Sequence, residues 1–241
     1  MQAFDSHFWQ GFLSSYGNLT GNVQSALKFV AVPFLSAAMA ITFASVSLAQ
    51  EKPVKIVALG DSLTAGFGLA ASEAFPARLA RALKSKGIAA DIVNAGVSGD
   101  TATGGLERLD WAVSPDTDAV IVELGANDML RGIDPKVTRN AIDTIVKKLR
   151  ERKIPVLLCG MLASPNLGDE YGKAFKSIYS DVAAAHDVLL YPFFLEGIAA
   201  DAKFNQRDGL HPTADGVDRI VEKIMPSVEK LIERTKGQRG T

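Results

Sequence analysis

Four short polar groups hold the residue types from which a hydrolytic site can be made. They are Gly60-Asp61-Ser62-Leu63, Ser98-Gly99-Asp100, Gly125-Ala126-Asn127-Asp128 and Asp208-Gly209-Leu210-His211-Pro212. A serine hydroxyl attacks a carbonyl once a neighbouring base takes its proton. Histidine suits that role, because its unperturbed pKa is about 6.5. An acid must hold the imidazole in one tautomer, and N–H donors must meet the oxyanion of the tetrahedral intermediate. Ser62, His211 and Asp208 can be nucleophile, base and acid. The backbone N–H groups of Ser62 and Gly99 and the side-chain amide of Asn127 can be the donors.

Each residue alone has a plainer use. Ser62 can cap a helix, and Asn127 can stabilise a turn. Gly99 can be an ordinary loop glycine, and Asp208 can close an Asx turn. Their joint occurrence in four successive loops favours the chemical reading. Of the other histidines, His7 lies in the leading segment and His186 sits near a helix end, where a cation is favourable. Competing motifs fit less well. Gly66–Ala71 matches G-x-G-x-x-A, but it starts well beyond the end of the first apolar run. Thr64 stands where a G-x-S-x-G elbow needs glycine. There is no Walker lysine and no H-E-x-x-H zinc motif. Asp61, Asp100 and Asp128 can be imagined as a carboxylate metal site. Each is explained as a loop or helix-start acid, so no metal is expected.

The elements that must position these loops are legible. Apolar runs recur at Val54–Leu59, Ala90–Asn94, Ala119–Leu124, Pro155–Gly160 and Val188–Tyr191. None alternates cleanly with polar residues, which predicts strands of a parallel sheet buried on both faces. Helical spacing lies between them. Phe75, Leu79, Ala82 and Leu83 form one stripe; Ile142, Ile145, Val146 and Leu149 form another, behind an Asp134-Pro135 start. Phe175, Ile178, Tyr179 and Val182 repeat the pattern. Thr213 can cap a last helix carrying Val217, Ile220, Val221 and Ile224, with a kink or break expected at Pro226. Alternating strands and helices predict an α/β fold with helices on both faces of the sheet. Ligands then gather beyond the carboxyl ends of the strands, where all four polar groups fall.

Composition excludes several classes. The 241 residues are 47% hydrophobic and 22% charged, which is globular. A net charge of −1 offers no basic field for nucleic acid. The single cysteine, Cys159, lies inside an apolar run and reads as a buried thiol. The run from Phe29 to Ala49 has no charge, and Ser47-Leu48-Ala49 places small residues where a signal peptidase reads. Residues 1–49 are therefore expected to be an export segment cleaved before Gln50, with residues 50–241 as the folded domain. No stable membrane anchor then remains. An inner-membrane anchor formed by residues 29–49 is the alternative. Residues 1–27 lack Lys and Arg and make the segment overlong, so a true start near Val23 is expected.

The blocks "GDSL", "SGD", "GAND" and "DGLHP" resemble those of the SGNH hydrolases, also called GDSL esterases. "GDSLTAGFG", "NAGVSGDT" and "VELGANDMLRG" are similar to the bacterial periplasmic thioesterase/lysophospholipase/arylesterase subgroup. The resemblance implies a three-layer α/β/α, flavodoxin-like fold with a parallel five-stranded sheet in the order 2-1-3-4-5. It implies hydrolysis of small esters and thioesters through an acyl-serine, with no cofactor. It assigns Ser62, Gly99, Asn127 and His211 to the family name, and Asp208 to the acid. Met129–Pro135 then occupies the place of a mobile lip over the acyl chain. Asp61, Leu130 and Ile133 are the expected substrate-binding residues, with Leu167 as a further candidate for the pocket. A carbohydrate deacetylase or a non-catalytic binding module on the same fold is the alternative.

Overall fold

Val54–Gly60 carries the first apolar run and forms β1, the strand on which the rest is assembled. The computed structural model describes residues 52–239. After β1 come α1 (Ser62–Ala65), α2 (Phe75–Ser85), β2 (Ala90–Gly96), α3 (Ala102–Glu107), α4 (Leu109–Ala112) and β3 (Ala119–Glu123). Then follow α5 (Ala126–Leu130), α6 (Pro135–Glu151), β4 (Val156–Cys159), α7 (Asp169–His186), β5 (Leu189–Tyr191) and α8 (Ala214–Arg239). The export segment expected at residues 1–49 lies outside the described residues.

The strands form one parallel sheet in the order β2-β1-β3-β4-β5. Its register sets one row across the sheet: Gly96, Gly60, Glu123, Cys159 and Tyr191. The loops that carry the polar groups leave from that row. β1, β3 and β4 are buried almost throughout, as runs without alternation require. β2 differs from expectation. It is an edge strand, and Val93 is 38% exposed on it.

α6 packs against α3 and α7, and α2 packs against α8, giving the two helical layers. Phe75, Leu79 and Leu83 of α2 are buried; so are Ile142, Ile145, Val146 and Leu149 of α6. Each such side chain contributes about 1.5–3 kcal/mol relative to exposure. Asp134 caps α6 by accepting from Lys136 N–H, with Pro135 at the first helical position. Thr213 Oγ1 accepts from Gly216 N–H at 3.2 Å at the start of α8. Of the kink or break expected at Pro226, the break does not occur: α8 is one helix from Ala214 to Arg239. The cost of about 3 kcal/mol for an interior proline is outweighed by packing on both sides of it. Val217, Ile220 and Ile224 before it, and Val228, Leu231 and Ile232 after it, are all buried.

Close approach explains one glycine at the end of β1. A Cβ at Gly60 would lie 2.1 Å from Thr64 Oγ1 and 2.7 Å from Glu123 Oε2. Only glycine lets α1 fold back over the strand end.

Candidate active site

β1 ends at Gly60, and α1 begins two residues later with Ser62. Asp61 is the N-cap: its carboxylate accepts from Leu63 N–H at 2.9 Å. The cap holds Ser62 in the first turn, at the mouth of a cavity and 8% exposed. From the other end of the chain, the loop before α8 delivers His211. Its Nε2 lies 2.9 Å from Ser62 Oγ, and its Nδ1 lies 2.7 Å from Asp208 Oδ2. Asp208 Oδ1 accepts from the backbone N–H groups of Leu210 at 2.9 Å and His211 at 3.0 Å. The backbone N–H groups of His211 and Leu210, then the imidazole, hold the Asp208 carboxyl down at about 2. An ionised acid beside Nδ1 favours the tautomer that leaves Nε2 free to accept a proton.

Two further contacts brace His211. The Phe67 ring lies over the imidazole, with centroids 4.5 Å apart. Gln206 Nε2 donates to Phe67 O at 2.7 Å and to Pro212 O at 2.9 Å, while Gln206 N–H donates to His211 O at 2.7 Å. One glutamine thus joins the loop after α1 to the loop of His211.

The expected oxyanion donors come from three loops. Gly99 has φ of +87°, a conformation that glycine adopts without a Cβ penalty. Arg131 Nη2 donates to its carbonyl at 2.7 Å. The backbone N–H groups of Ser62 and Gly99 take no main-chain partner among the described residues. Asn127 Nδ2 donates to Asp100 O at 2.9 Å and to Asp61 Oδ2 at 3.2 Å. Both amide hydrogens are therefore engaged. The contact with Asp61 is the longer of the two.

A cavity of about 310 Å³ opens beside Ser62, Asn127 and His211. Met129 and Leu130 form one wall, Met161 and Leu162 another, and Phe193 and Leu195 the third. The lining is mostly apolar, with Ser164 and Asn205 as polar side chains besides Ser62, Asn127 and His211, which suits an acyl chain. Leu130 lines the cavity as expected, whereas Asp61, Ile133 and Leu167 do not. Asp61 is 0% exposed, because its carboxylate turns inward to cap α1. The turn after α5 carries Ile133 aside: its N–H donates to Asp128 O, and its carbonyl accepts from Tyr171 Oη at 2.9 Å.

The three loop aspartates do not converge. Asp100 pairs with Arg108. Buried Asp128 accepts from Ala102 N–H at 2.8 Å and from Thr138 Oγ1 at 2.9 Å. Among the described residues, no group of three or more His, Cys, Asp or Glu side chains is placed to hold a metal ion. His186 bonds Asp143 at 2.8 Å, joining α7 to α6.

Sequence reasoning missed several residues that shape the site. Arg108 is 7% exposed and donates to Gly60 O and Ala95 O, both at 2.8 Å, fastening the ends of β1 and β2. No spacing rule marks it. Glu123 did leave a signal: a lone charge closing the apolar strand Ala119–Glu123. A buried carboxylate there needs a partner. Thr64 Oγ1 supplies one, donating to Glu123 Oε2 at 2.8 Å.

Residues 58–219, which include all four loops, match the GDSL-like lipase/acylhydrolase family. The chain is 37% identical over 191 residues to Esterase TesA of Pseudomonas aeruginosa, covering 78% of this chain and 95% of the relative. It is 36% identical over 178 residues to Thioesterase 1/protease 1/lysophospholipase L1 of Escherichia coli K12, covering 73% and 84%. Among solved structures, AlinE4, an SGNH-hydrolase family esterase, superposes with a TM-score of 0.64 at 47% identity, covering 74% of this chain and 96% of that one. A match that runs from β1 to α8 and takes in Ser62, Gly99, Asn127, Asp208 and His211 makes this chain a member of the GDSL-like lipase/acylhydrolase family, the SGNH hydrolases.

Proposed function

We propose that this ester hydrolase works through an acyl-serine formed on Ser62, with His211 as its base and Asp208 as the acid that orients the base. The observation that carries the reading is the unbroken path Asp208–His211–Ser62, with bonds of 2.7 and 2.9 Å, at the mouth of an apolar cavity. Ser62 Oγ attacks the acyl carbonyl as its proton passes to His211 Nε2. Negative charge on the carbonyl oxygen meets the N–H groups of Ser62 and Gly99 and the Asn127 amide. The tetrahedral adduct collapses, and His211 returns the proton to the departing alcohol or thiol. Water then attacks the acyl-serine, giving its proton to His211, and Ser62 recovers its own as the acid leaves.

The substrates are esters and thioesters of short to medium acyl chains, including aryl esters and lysophospholipid-type or acyl-CoA-type compounds. The cavity supports an acyl chain rather than acetyl alone, since about 310 Å³ exceeds what acetyl fills. Named relatives include an esterase, an arylesterase and a thioesterase/lysophospholipase.

The proposal extends to export, with cleavage before Gln50 and action in the periplasm. It is supported by the charge-free run Phe29–Ala49 ending in Ser-Leu-Ala. Among the described residues, no helix is long and apolar enough to cross a membrane. Mass spectrometry of the exported protein tests this part: the mature chain should begin at Gln50, and retention of Met1 contradicts it. The chemical part is tested with a panel of p-nitrophenyl esters of increasing acyl length. The wild type should turn over chains up to a limit set by the cavity. Ser62→Ala should stay folded and inactive; full turnover by that variant would end the proposal.

A further inference from the structure

Behind the oxyanion loops lie two carboxyl groups that the reaction above does not use. Asp61 is 0% exposed and Glu123 is 1% exposed. They come together because Gly60 and Glu123 are register partners on β1 and β3, and Asp61 follows Gly60. The two side chains lie within hydrogen-bonding reach of each other. Their surroundings are unequal. Asp61 receives N–H bonds from Leu63 and Asn127. The Thr64 hydroxyl donates to Glu123 Oε2 and the Asp61 backbone N–H faces the same carboxyl, yet its other oxygen, Oε1, is buried without a hydrogen-bond partner. A carboxylate oxygen buried without a donor costs several kcal/mol as an anion. A protonated Glu123 carboxyl is itself a donor, and the Asp61 carboxylate is an acceptor close to it.

We propose that Glu123 is a positioning residue that keeps its proton at neutral pH and shares it with Asp61, so that a single negative charge stands behind the oxyanion site. The inference rests on the role given to Asn127 above. Asp61 holds one amide hydrogen of Asn127 at 3.2 Å, and that hydrogen must pass to the oxyanion. A hydrogen bond from Glu123 spreads the charge of Asp61 and loosens its hold on Asn127. A second full charge at Glu123 would tighten that hold and would oppose the growing negative charge on the substrate.

The titratable neighbours agree with this placement. Facing the pair are Asp100 and His211 from their loops, Cys159 on β4, Tyr179 on α7, with Asp128 of α5 beside Tyr179, and Arg108, which donates to Gly60 O. Burial keeps both the Cys159 thiol and the Tyr179 phenol neutral by raising them far above their ordinary values. The Arg108 guanidinium is committed to Asp100 and to two carbonyls. Burial, then the charge of Asp61, pushes Glu123 well above the usual carboxylate range. Burial also lifts Asp61, to about 6, with the bonds from Leu63 and Asn127 pulling the other way. The environments separate the two groups, and the proton goes to Glu123.

The test compares three proteins. Glutamine has the shape of a neutral glutamic acid: its carbonyl accepts from Thr64 and its amide donates to Asp61. Wild type should show an alkaline fall in kcat as Glu123 ionises; Glu123→Gln should keep kcat within about threefold, with KM unchanged, and should lack that fall. Glu123→Leu lacks the donor and should lower kcat by about tenfold, with KM within about twofold. Independently, carboxyl-labelled glutamate in the wild-type protein should give one NMR resonance that stays neutral at about pH 7.5 and is missing from Glu123→Gln. The proposal is overturned if Glu123→Gln loses as much kcat as Glu123→Leu. It is also overturned if every glutamate resonance titrates in the ordinary range. Neither result touches the assignment of Ser62, which Ser62→Ala tests separately.

Discussion

Replacing Asn127 by alanine separates catalysis from architecture. The amide has two duties in the resting site, bonds of 2.9 Å to Asp100 O and 3.2 Å to Asp61 Oδ2. Losing them leaves a carbonyl and a carboxylate short of a donor, which costs the fold about 1–3 kcal/mol. That loss appears in the melting temperature. The third duty, in the mechanism we propose, exists only while charge sits on the carbonyl oxygen. Losing one such donor costs about 2.7–4 kcal/mol, or 10²–10³ in kcat. A neutral ester carbonyl gains little from the same group, so KM should stay within about threefold. Steady-state kinetics on p-nitrophenyl butyrate, with a thermal melt of the same preparation, give both numbers. A kcat close to wild type, or a loss of activity carried entirely by KM, would refute the reasoning and remove Asn127 from the site.

Other expectations follow from the same contacts. Asp208→Asn turns an amide N–H toward His211 Nδ1, or breaks the 2.7 Å bond; either way Nε2 becomes a poor base, and kcat should fall by about 10²–10⁴ with the serine intact. A loss of less than about threefold in that variant contradicts the role of the acid. The Asp208 carboxyl sits at about 2, below the ordinary value near 3.9, so its ionised form favours the native site above that value and the benefit goes as pH falls through about 2. An NMR titration of the folded protein should place its midpoint there, and a midpoint at or above the ordinary value would be inconsistent with its three hydrogen bonds. Asp128→Ala removes a buried acceptor shared by Ala102 N–H and Thr138 Oγ1, for a cost of about 2–4 kcal/mol and a drop of about 5–15 °C in Tm. An unchanged Tm would show that this carboxylate is not the tie between α3 and α6.

Periodicity made most of the fold legible. Unalternating apolar runs gave the strands to within two residues at each end, because β1, β3 and β4 are buried on both faces. β2 read the same way and is an edge, since local composition does not record what a neighbour covers. Pro226 reads as a kink or a break, and the helix is not broken there, because tertiary packing along α8 outweighs a local preference. The short helices α1, α3, α4 and α5 show no stripe, being too short for a 3.6-residue period, and only candidate start residues hint at some of them. At the site, the residues expected from the loops do meet: Ser62, Asp208 and His211 form one hydrogen-bonded path. The supports were less visible. Arg108, Gln206 and Arg131 act through backbone carbonyls, which any residue offers, so no pattern of side chains announces them. Asp61 beside Ser62 reads as a contact for substrate; capping α1 from a fully buried position is what its neighbours require of it.

The claim on which the account depends is that the Ser62 hydroxyl is the activated nucleophile, and a fluorophosphonate reports on it directly. Intact-mass and peptide mass spectrometry of the treated protein should find one adduct, on Ser62, formed as activity disappears and absent from His211→Ala. Esterase activity that survives the reagent, or an adduct on a different residue, would contradict the account.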